Sequence, residues 1–503
     1  MGRYCGTAKR DSGTTARRQR VQCARTSNGD QHPEYADNQA RRRHRHAATA
    51  PAVVTRVVMA VNNAGSTDYR VVKSAEVLAA AGYEVSVVGL LSAGHTPQET
   101  RNGVRYVRVT LPSSRLALLP DLVGATLWWN RLRAPPPIPA QDSAAQPANL
   151  VAVHPPAPRA GLRVRLVTWL RYCARNFRPA TSPLSVRLLF ARYAHAYVPA
   201  LLALEADIYH AHELWMLESC ALAARARGAR LVYDSHELEP HRNLDWCPAS
   251  NRRRVSYEQL YIGTADAVFT VSPGVARALE RAYQLPHVGL LRNTPWLAKL
   301  RPAPRGLRSV LALPADTPLL VYTGLVTRNR GLELILEALP ALPGFHLAMV
   351  GSVEPTTAAA LSAQARALGL TARVHEVASV PPEELIDFIA SGDVAVIALP
   401  DACLSYRYCL PNKLFEALFA GLPIVAADLD DMRAFITAHQ VGRVFLAGDA
   451  AALATVVSQV YAGRAHDRPD NRHASLCERL SFEREAAELL RCYDHLSTRL
   501  RGR

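Results

Sequence analysis

No uninterrupted apolar run in this 503-residue chain reaches the roughly eighteen residues that span a bilayer. The first residues also lack the apolar core of a secretion signal. The protein is therefore expected to be soluble or peripheral, in the cytoplasm or on the cytoplasmic face of an inner membrane. The nine cysteines include no CxxC and no close pairing with histidine, which argues for reduced thiols and against a disulfide framework or structural zinc. GxGxxG is missing, and with it the usual fingerprint for NAD. GxSxG is missing too, so Ser235 and Ser272 are poor candidates for a nucleophile. The Asp430–Asp431 pair past a late strand reads as a solvated helix cap. No groove-reading helix or RNA-binding motif accompanies the basic residues, so no nucleic acid partner is expected.

Basic residues outnumber acidic ones most heavily in two segments. Residues 1–50 carry eleven Arg/Lys against four Asp/Glu, and residues 111–200 carry eleven Arg against two Asp. The rest holds 37 of each sign, so the whole net charge of +16 sits in those two segments. The first is polar and almost free of large aliphatics, and reads as a disordered basic tail. Within the second, 134–147 is a proline-rich loop. The flanking stretches, 122–133 and GLRVRLVTWLRYCARNFR at 161–178, interleave aromatics and arginines. That pattern fits either a helix lying in an anionic membrane surface through 122–178 or a helix packed on its own domain with solvated arginines.

Elsewhere the chain alternates strand and helix. VTRVVMAV (54–61), a loop with Gly65, a helix over Arg70–Ala81 and EVSVVGLL (84–91) make a βαβ opening of Rossmann type. Further strands are expected near 319–323, 346–351, 373–377, 394–399 and 424–427, with helices between them, and a terminal helix over Leu480–Leu500. The domains expected are 1–50 as tail, 51–298 as an N-terminal Rossmann-like domain with a basic insert at about 111–200, 299–480 as a second such domain, and 481–503 as a crossing helix.

The densest chemistry is in LPNKLFEALFAGLPIVAADL (410–429). Pro411 suits the first position of a helix. Leu414, Phe415, Leu418 and Phe419 form one apolar face, Gly421 ends the helix and a strand follows. A helix that starts beyond the carboxyl end of a parallel strand offers N–H groups and a positive dipole end to an anion. Lys413 adds a cation for phosphate, and Glu416 a carboxylate that can accept two sugar hydroxyl hydrogens.

This segment resembles the C-terminal nucleotide-binding motif of retaining glycosyltransferases of the family 4, group 1 type, which have the GT-B fold. VYTGLVTRNRGLELILEAL (321–339), DIYHAHELW (207–215), YDSHEL (233–238) and VFTVSPGVARAL…LLRNTP (268–295) resemble other parts of that family, in the family's order, over roughly 54–490. The resemblance implies an α/β fold of two Rossmann-like domains facing each other across a cleft, with a C-terminal helix crossing between them. It implies that Glu416 binds the donor ribose. Gly324 would let backbone approach the donor, and Arg330 would hold its diphosphate, with Arg328 as a second candidate. His212 takes the catalytic position. Gly65 in the first loop, with Asn63 and Arg70, would face donor phosphates and acceptor. The implied partners are a nucleotide-sugar donor and a lipid-linked or saccharide acceptor, with no separate cofactor. Many members carry a second glutamate eight positions before the ribose-binding one; here Tyr408 stands there.

Leaving-group charge can be stabilised by a metal or by fixed cations and helix ends; Arg330 and Lys413 favour the second. HxH followed by HE (His210, His212, Glu213, His236, Glu237) has metal-ligand types available, yet HxH on a strand puts both rings on one face, where one is often core. The same fold also serves sugar-nucleotide epimerases and hydrolases, and a non-catalytic membrane-associated subunit remains a further alternative.

Overall fold

The computed structural model describes residues 54–112, 183–242, 248–463 and 471–501. The expectations for the tail 1–50, the loop 134–147 and the stretch 122–178 concern residues outside these. From Thr55 onward the chain forms one compact unit, built on two sheets.

The first sheet takes β1 (Arg56–Ala60), β2 (Glu84–Leu90), β3 (Gln98–Arg101), β4 (Val104–Val109), β5 (Ile208–His212), β6 (Arg230–Ser235), β7 (Ala267–Thr270) and β8 (Gly289–Leu290). Its order is β3-β4-β2-β1-β5-β6-β7-β8, and only the β3/β4 pair is antiparallel. The second sheet takes β9 (Leu319–Thr323), β10 (His346–Val350), β11 (Val374–Val377), β12 (Val394–Ile397), β13 (Ile424–Ala427) and β14 (Gly442–Phe445), ordered β11-β10-β9-β12-β13-β14 and parallel throughout. Central strands such as IYHAH and LLVYT are buried along their whole length. Strands covered by helices on both faces need such near-continuous burial. Strand order reverses between β1 and β5 in one sheet and between β9 and β12 in the other. Crevices at those switch points are where open parallel sheets take ligands.

The helices that build the site are α1 (Tyr69–Ala80), α2 (Pro183–Ala203), α3 (Leu214–Arg227), α4 (Pro248–Ile262) and α5 (Pro273–Tyr283) in the first lobe. In the second are α6 (Leu332–Ala338), α7 (Leu404–Arg407), α8 (Asn412–Phe419) and α9 (Asp430–His439). Helix α8 is fixed by Leu414, Phe415 and Leu418, all buried; each such side chain contributes about 1.5–3 kcal/mol on burial. Pro411 does not open this helix but precedes it as the cap residue, since its ψ of 151° is still extended. Proline's fixed φ is compatible with either place, and ψ decides between them.

The last helix, α10 (Phe482–Arg501), returns to the first lobe. Phe482, Ala486, Leu489, Tyr493 and Leu496 join one apolar cluster with Val57, Met59 and Val85. Glu485 accepts from the Arg292 backbone N–H at 3.0 Å and from its Nε at 2.8 Å, which ties the helix to the segment leaving the first sheet.

The expected solvated cap holds for the exposed Asp430 but needs correction for Asp431. Asp431 is 5% exposed and accepts the Gly274 N–H at 2.6 Å. It therefore caps α5 of the opposite lobe, where exposed N–H groups and the helix dipole favour a carboxylate. Beside it, Ser272 Oγ donates to the Tyr408 carbonyl, and a Cβ on Gly274 would meet Tyr408 Cβ at 2.8 Å. The two lobes touch through this cluster, so Tyr408 is part of the interlobe contact.

Candidate active site

The switch point of the second sheet carries four of the predicted residues. Gly324 follows β9 with φ of +105°, a conformation that side chains disfavour. An added Cβ there would lie 3.7 Å from Lys413 Nζ, so glycine keeps the backbone open beside that ammonium. Lys413, in the first turn of α8, holds Nζ 3.7 Å from the Tyr322 ring centroid. Burial first, then the neighbouring Arg330 charge, push Lys413 down to about 7. Among the described residues neither Arg330 nor Lys413 has a carboxylate at ion-pair distance. Two like charges left together without a counter-ion form a site that an anion would complete. Arg328 is exposed on the same loop, where its charge acts on Glu354.

Glu416 lies one turn further along α8. Its Oε2 accepts from Thr323 Oγ1 at 2.5 Å, and among the described residues Oε1 has no hydrogen-bond partner. Burial raises its pKa, against the hydrogen bond from Thr323 and the charges of Lys413 and Lys73. Glu416 borders a cavity of about 250 Å³ together with Gly324 and Leu325 after β9, Val350–Ser352 at the end of β10, and Ser379, Val380 and Leu385 beyond β11. The loop after Val377 thus supplies part of the cavity wall.

The first sheet's switch point is of another kind. His210 and His212 share a face of β5, stacked with ring centroids 4.2 Å apart and both fully buried. His212 Nδ1 is 3.1 Å from His236 Nε2 and 3.4 Å from Asp234 Oδ2. Asp234 takes Arg70 on both carboxylate oxygens, with Nε at 2.7 Å. His210 Nδ1 meets Tyr493 Oη of α10 at 2.8 Å. Burial opposes charge on Asp234, but Arg70, His236 and His212 hold it well below the usual carboxylate range. Burial likewise disfavours charge on His236, yet Asp234 and Glu213 outweigh it and raise His236 to about 10. His210, His212 and Asp234 bring ligand-type atoms within 4.8 Å of one another. Arg70 and His236 already neutralise that carboxylate, which makes the group a poor cation site.

His212 therefore sits in this cluster rather than in the cavity beside Glu416, and its Nε2 is buried without a partner. Gly65 is also buried. Its φ is +76°, and a Cβ would come within 2.9 Å of Val87 Cγ1, so the turn itself requires glycine. Arg70, grouped with it as a donor-facing candidate, is held by Asp234 and the Leu291 carbonyl.

Several members of the site were not singled out from the sequence. Thr323 ends β9 one residue before Gly324, and Asp234 stands inside YDSHEL. Lys73, on α1, is buried with Nζ 2.6 Å from the Thr294 carbonyl. Burial and Arg70 push it down to about 7, while Glu416 from the other lobe acts in the opposite direction. Glu213, named from the sequence only as a metal-ligand type, has φ 63° and ψ 161° at the start of α3. That region is essentially confined to glycine and costs a side-chain-bearing residue about 1–3 kcal/mol.

Two Rossmann-like lobes that meet across a cleft at their switch points define the GT-B architecture. Comparison with known proteins narrows this. Residues 317–462 match the family described as glycosyl transferases group 1, and residues 139–293 match glycosyltransferase family 4. A D-inositol 3-phosphate glycosyltransferase of Xylanimonas cellulosilytica is 27% identical over 311 residues, 58% of this chain and 73% of that protein. The lipopolysaccharide core biosynthesis glycosyltransferase LpsE of Rhizobium meliloti is 24% identical over 40% of this chain and 56% of its own length. Among solved structures, sucrose-phosphate synthase of Thermosynechococcus elongatus superposes with a TM-score of 0.63 at 17% identity, over 88% of this chain and 99% of the other. Anabaena Alr3699/HepE, solved with UDP and glucose, gives a TM-score of 0.56 at 14% identity, over 88% and 100%. The chain belongs to the family 4, group 1 glycosyltransferases and is an enzyme of that kind.

Proposed function

We propose that the enzyme moves a hexose with retention of configuration from a UDP- or GDP-sugar to a lipid-linked or saccharide acceptor, without a metal. The observation that carries this is the pair Arg330 and Lys413, with no carboxylate at ion-pair distance among the described residues, close to Glu416, whose Oε2 is anchored by Thr323. Glu416 accepts the ribose hydroxyls and the base enters the cavity between Val350 and Leu385. The diphosphate lies against Lys413, Arg330 and the backbone at Gly324, with Arg328 at the mouth. As the anomeric C–O bond breaks, charge grows on the diphosphate, and fixed cations stabilise it without reorganisation. His212 belongs to the buried cluster of the opposite lobe, and its unpartnered Nε2 is the atom this reading assigns to the donor sugar. The solution of HepE with UDP and glucose supports a UDP donor. The names of LpsE and of a phosphatidyl-myo-inositol mannosyltransferase from Mycobacterium leprae support an acceptor at a membrane or cell surface. No helix among the described residues is long and apolar enough to cross a membrane. Attachment through the basic stretch 122–178 to anionic lipid on the cytoplasmic face follows from its composition.

The test is turnover of a nucleotide-sugar panel by wild type and Glu416→Ala. The variant loses nearly all turnover while remaining folded, and EDTA leaves the wild-type rate unchanged. Wild-type kinetics in the variant would defeat the assignment.

A further inference from the structure

Among the described residues, seven other than glycine have positive φ, including Gln284 and Gln440, which end helices in the ordinary left-handed region with ψ of 39°. Glu213 differs: at ψ 161° it begins a helix in a region glycine alone visits freely. It follows His212 directly, at the end of β5 beside β1, where the strand order reverses. Its side chain does not cap its own helix. Instead Oε1 lies 3.6 Å from His236 Nδ1, and Asp234 holds the other side of that ring at 3.4 Å. The Glu213 side chain is 22% exposed, which leaves part of the carboxylate open. Across the cleft lie Tyr406 and Cys409; burial raises the pKa of both, and the charge of Glu237, next to His236, adds to each.

Asp234 already holds the His236 ring from its other nitrogen, so Glu213 is not that ring's sole counter-charge, and its own backbone conformation costs about 1–3 kcal/mol. Glycine at 213 would relieve the strain. A glutamate kept there is explained by something its carboxylate does after folding. We propose that Glu213 contacts the sugar being transferred: its carboxylate accepts hydrogens from hexose hydroxyls, and His236 fixes its orientation. A carboxylate accepts and cannot donate, which matches a ring rich in hydroxyl donors. This rests on the reading of the enzyme as a nucleotide-sugar transferase.

The experiment uses full-length wild type, Glu213→Gln and Glu213→Gly. It measures nucleotide release from UDP-glucose, UDP-galactose, UDP-N-acetylglucosamine and GDP-mannose, binding of free UDP and GDP, and Tm. Both variants lose about tenfold or more in kcat/KM with the preferred donor, as expected when a charge-assisted contact is removed. Their Kd for the free nucleotide stays within about twofold, because the nucleotide carries no sugar. The Gly variant also melts about 1–3 °C higher, since the strain is gone. A Gln variant with the wild-type rate, or one that loses free-nucleotide binding in parallel, overturns the inference and leaves the transferase reading standing. A wild type that binds UDP or GDP but releases nucleotide from none of the four donors overturns both.

Discussion

The two switch points contain similar side chains put to opposite uses. In the first lobe Arg70, Asp234, His212 and His236 neutralise one another away from solvent. In the second lobe neither Arg330 nor Lys413 has a carboxylate at ion-pair distance among the described residues, and Lys413 is lowered to about 7 by burial and by the charge of Arg330. The charges of the first cluster are met within the lobe, and those of the second are left for a ligand. The difference lies in the counter-ion: the first lobe supplies its own, and the second waits for one from a ligand.

Removing a charge should therefore have opposite signatures in the two places. The largest effect is expected from Asp234→Ala, which strands Arg70 and His236 in the interior. Breaking a buried pair in this way costs about 3–5 kcal/mol, read as a lowered denaturant midpoint. An unchanged midpoint would break the comparison. Next comes Arg330→Ala or Lys413→Ala. Each lost contact of about 1.5–3 kcal/mol slows nucleotide release tens- to hundreds-fold, and melting shows stability equal to wild type or slightly higher. Asp431→Ala, at the contact between the lobes, should cost about 1–3 kcal/mol because the Gly274 N–H loses its acceptor.

The effects of pH come last, and their signs also separate the lobes. His236 is raised from 6.5 to about 10 on folding. Its contribution to stability is fully present below pH 6.5 and disappears as pH rises through about 10, so His236→Gln should flatten wild-type unfolding curves over that window. Lys413 is lowered to about 7, so the charge that a diphosphate needs is depleted above neutrality. Affinity for UDP or GDP should weaken by up to about tenfold per unit above pH 7, with proton uptake on binding seen by calorimetry in buffers of different ionisation enthalpy. Lys413→Arg should remove that dependence.

How much of this could be read from the sequence depended on whether the signal was local. Strands such as Leu319–Thr323 and Ile424–Ala427 are short apolar runs bounded by turns, and helix Leu214–Arg227 is followed by Gly228 in the left-handed conformation. Gly324, Lys413 and Glu416 belong to two contiguous segments that the strand order brings side by side. The first-lobe cluster was harder to see because Arg70 and Asp234 are 164 residues apart, and neither has a local reason to be buried. Asp431 shows the same limit. From its neighbours it reads as an exposed helix start, and only the arrival of α5 from the other lobe makes it interior. The backbone of Glu213 leaves no trace in composition or periodicity at all.

The claim on which the rest depends is that Arg330 and Lys413 wait for a diphosphate. Calorimetric titration of UDP and GDP, beside uridine and guanosine, against wild type and an Arg330→Ala/Lys413→Ala double variant tests this most directly. The expected result is that one diphosphate binds wild type at least about a hundredfold tighter than its nucleoside, an advantage the double variant loses. Equal affinities for diphosphate and nucleoside in wild type, or an advantage undiminished in the variant, would contradict it.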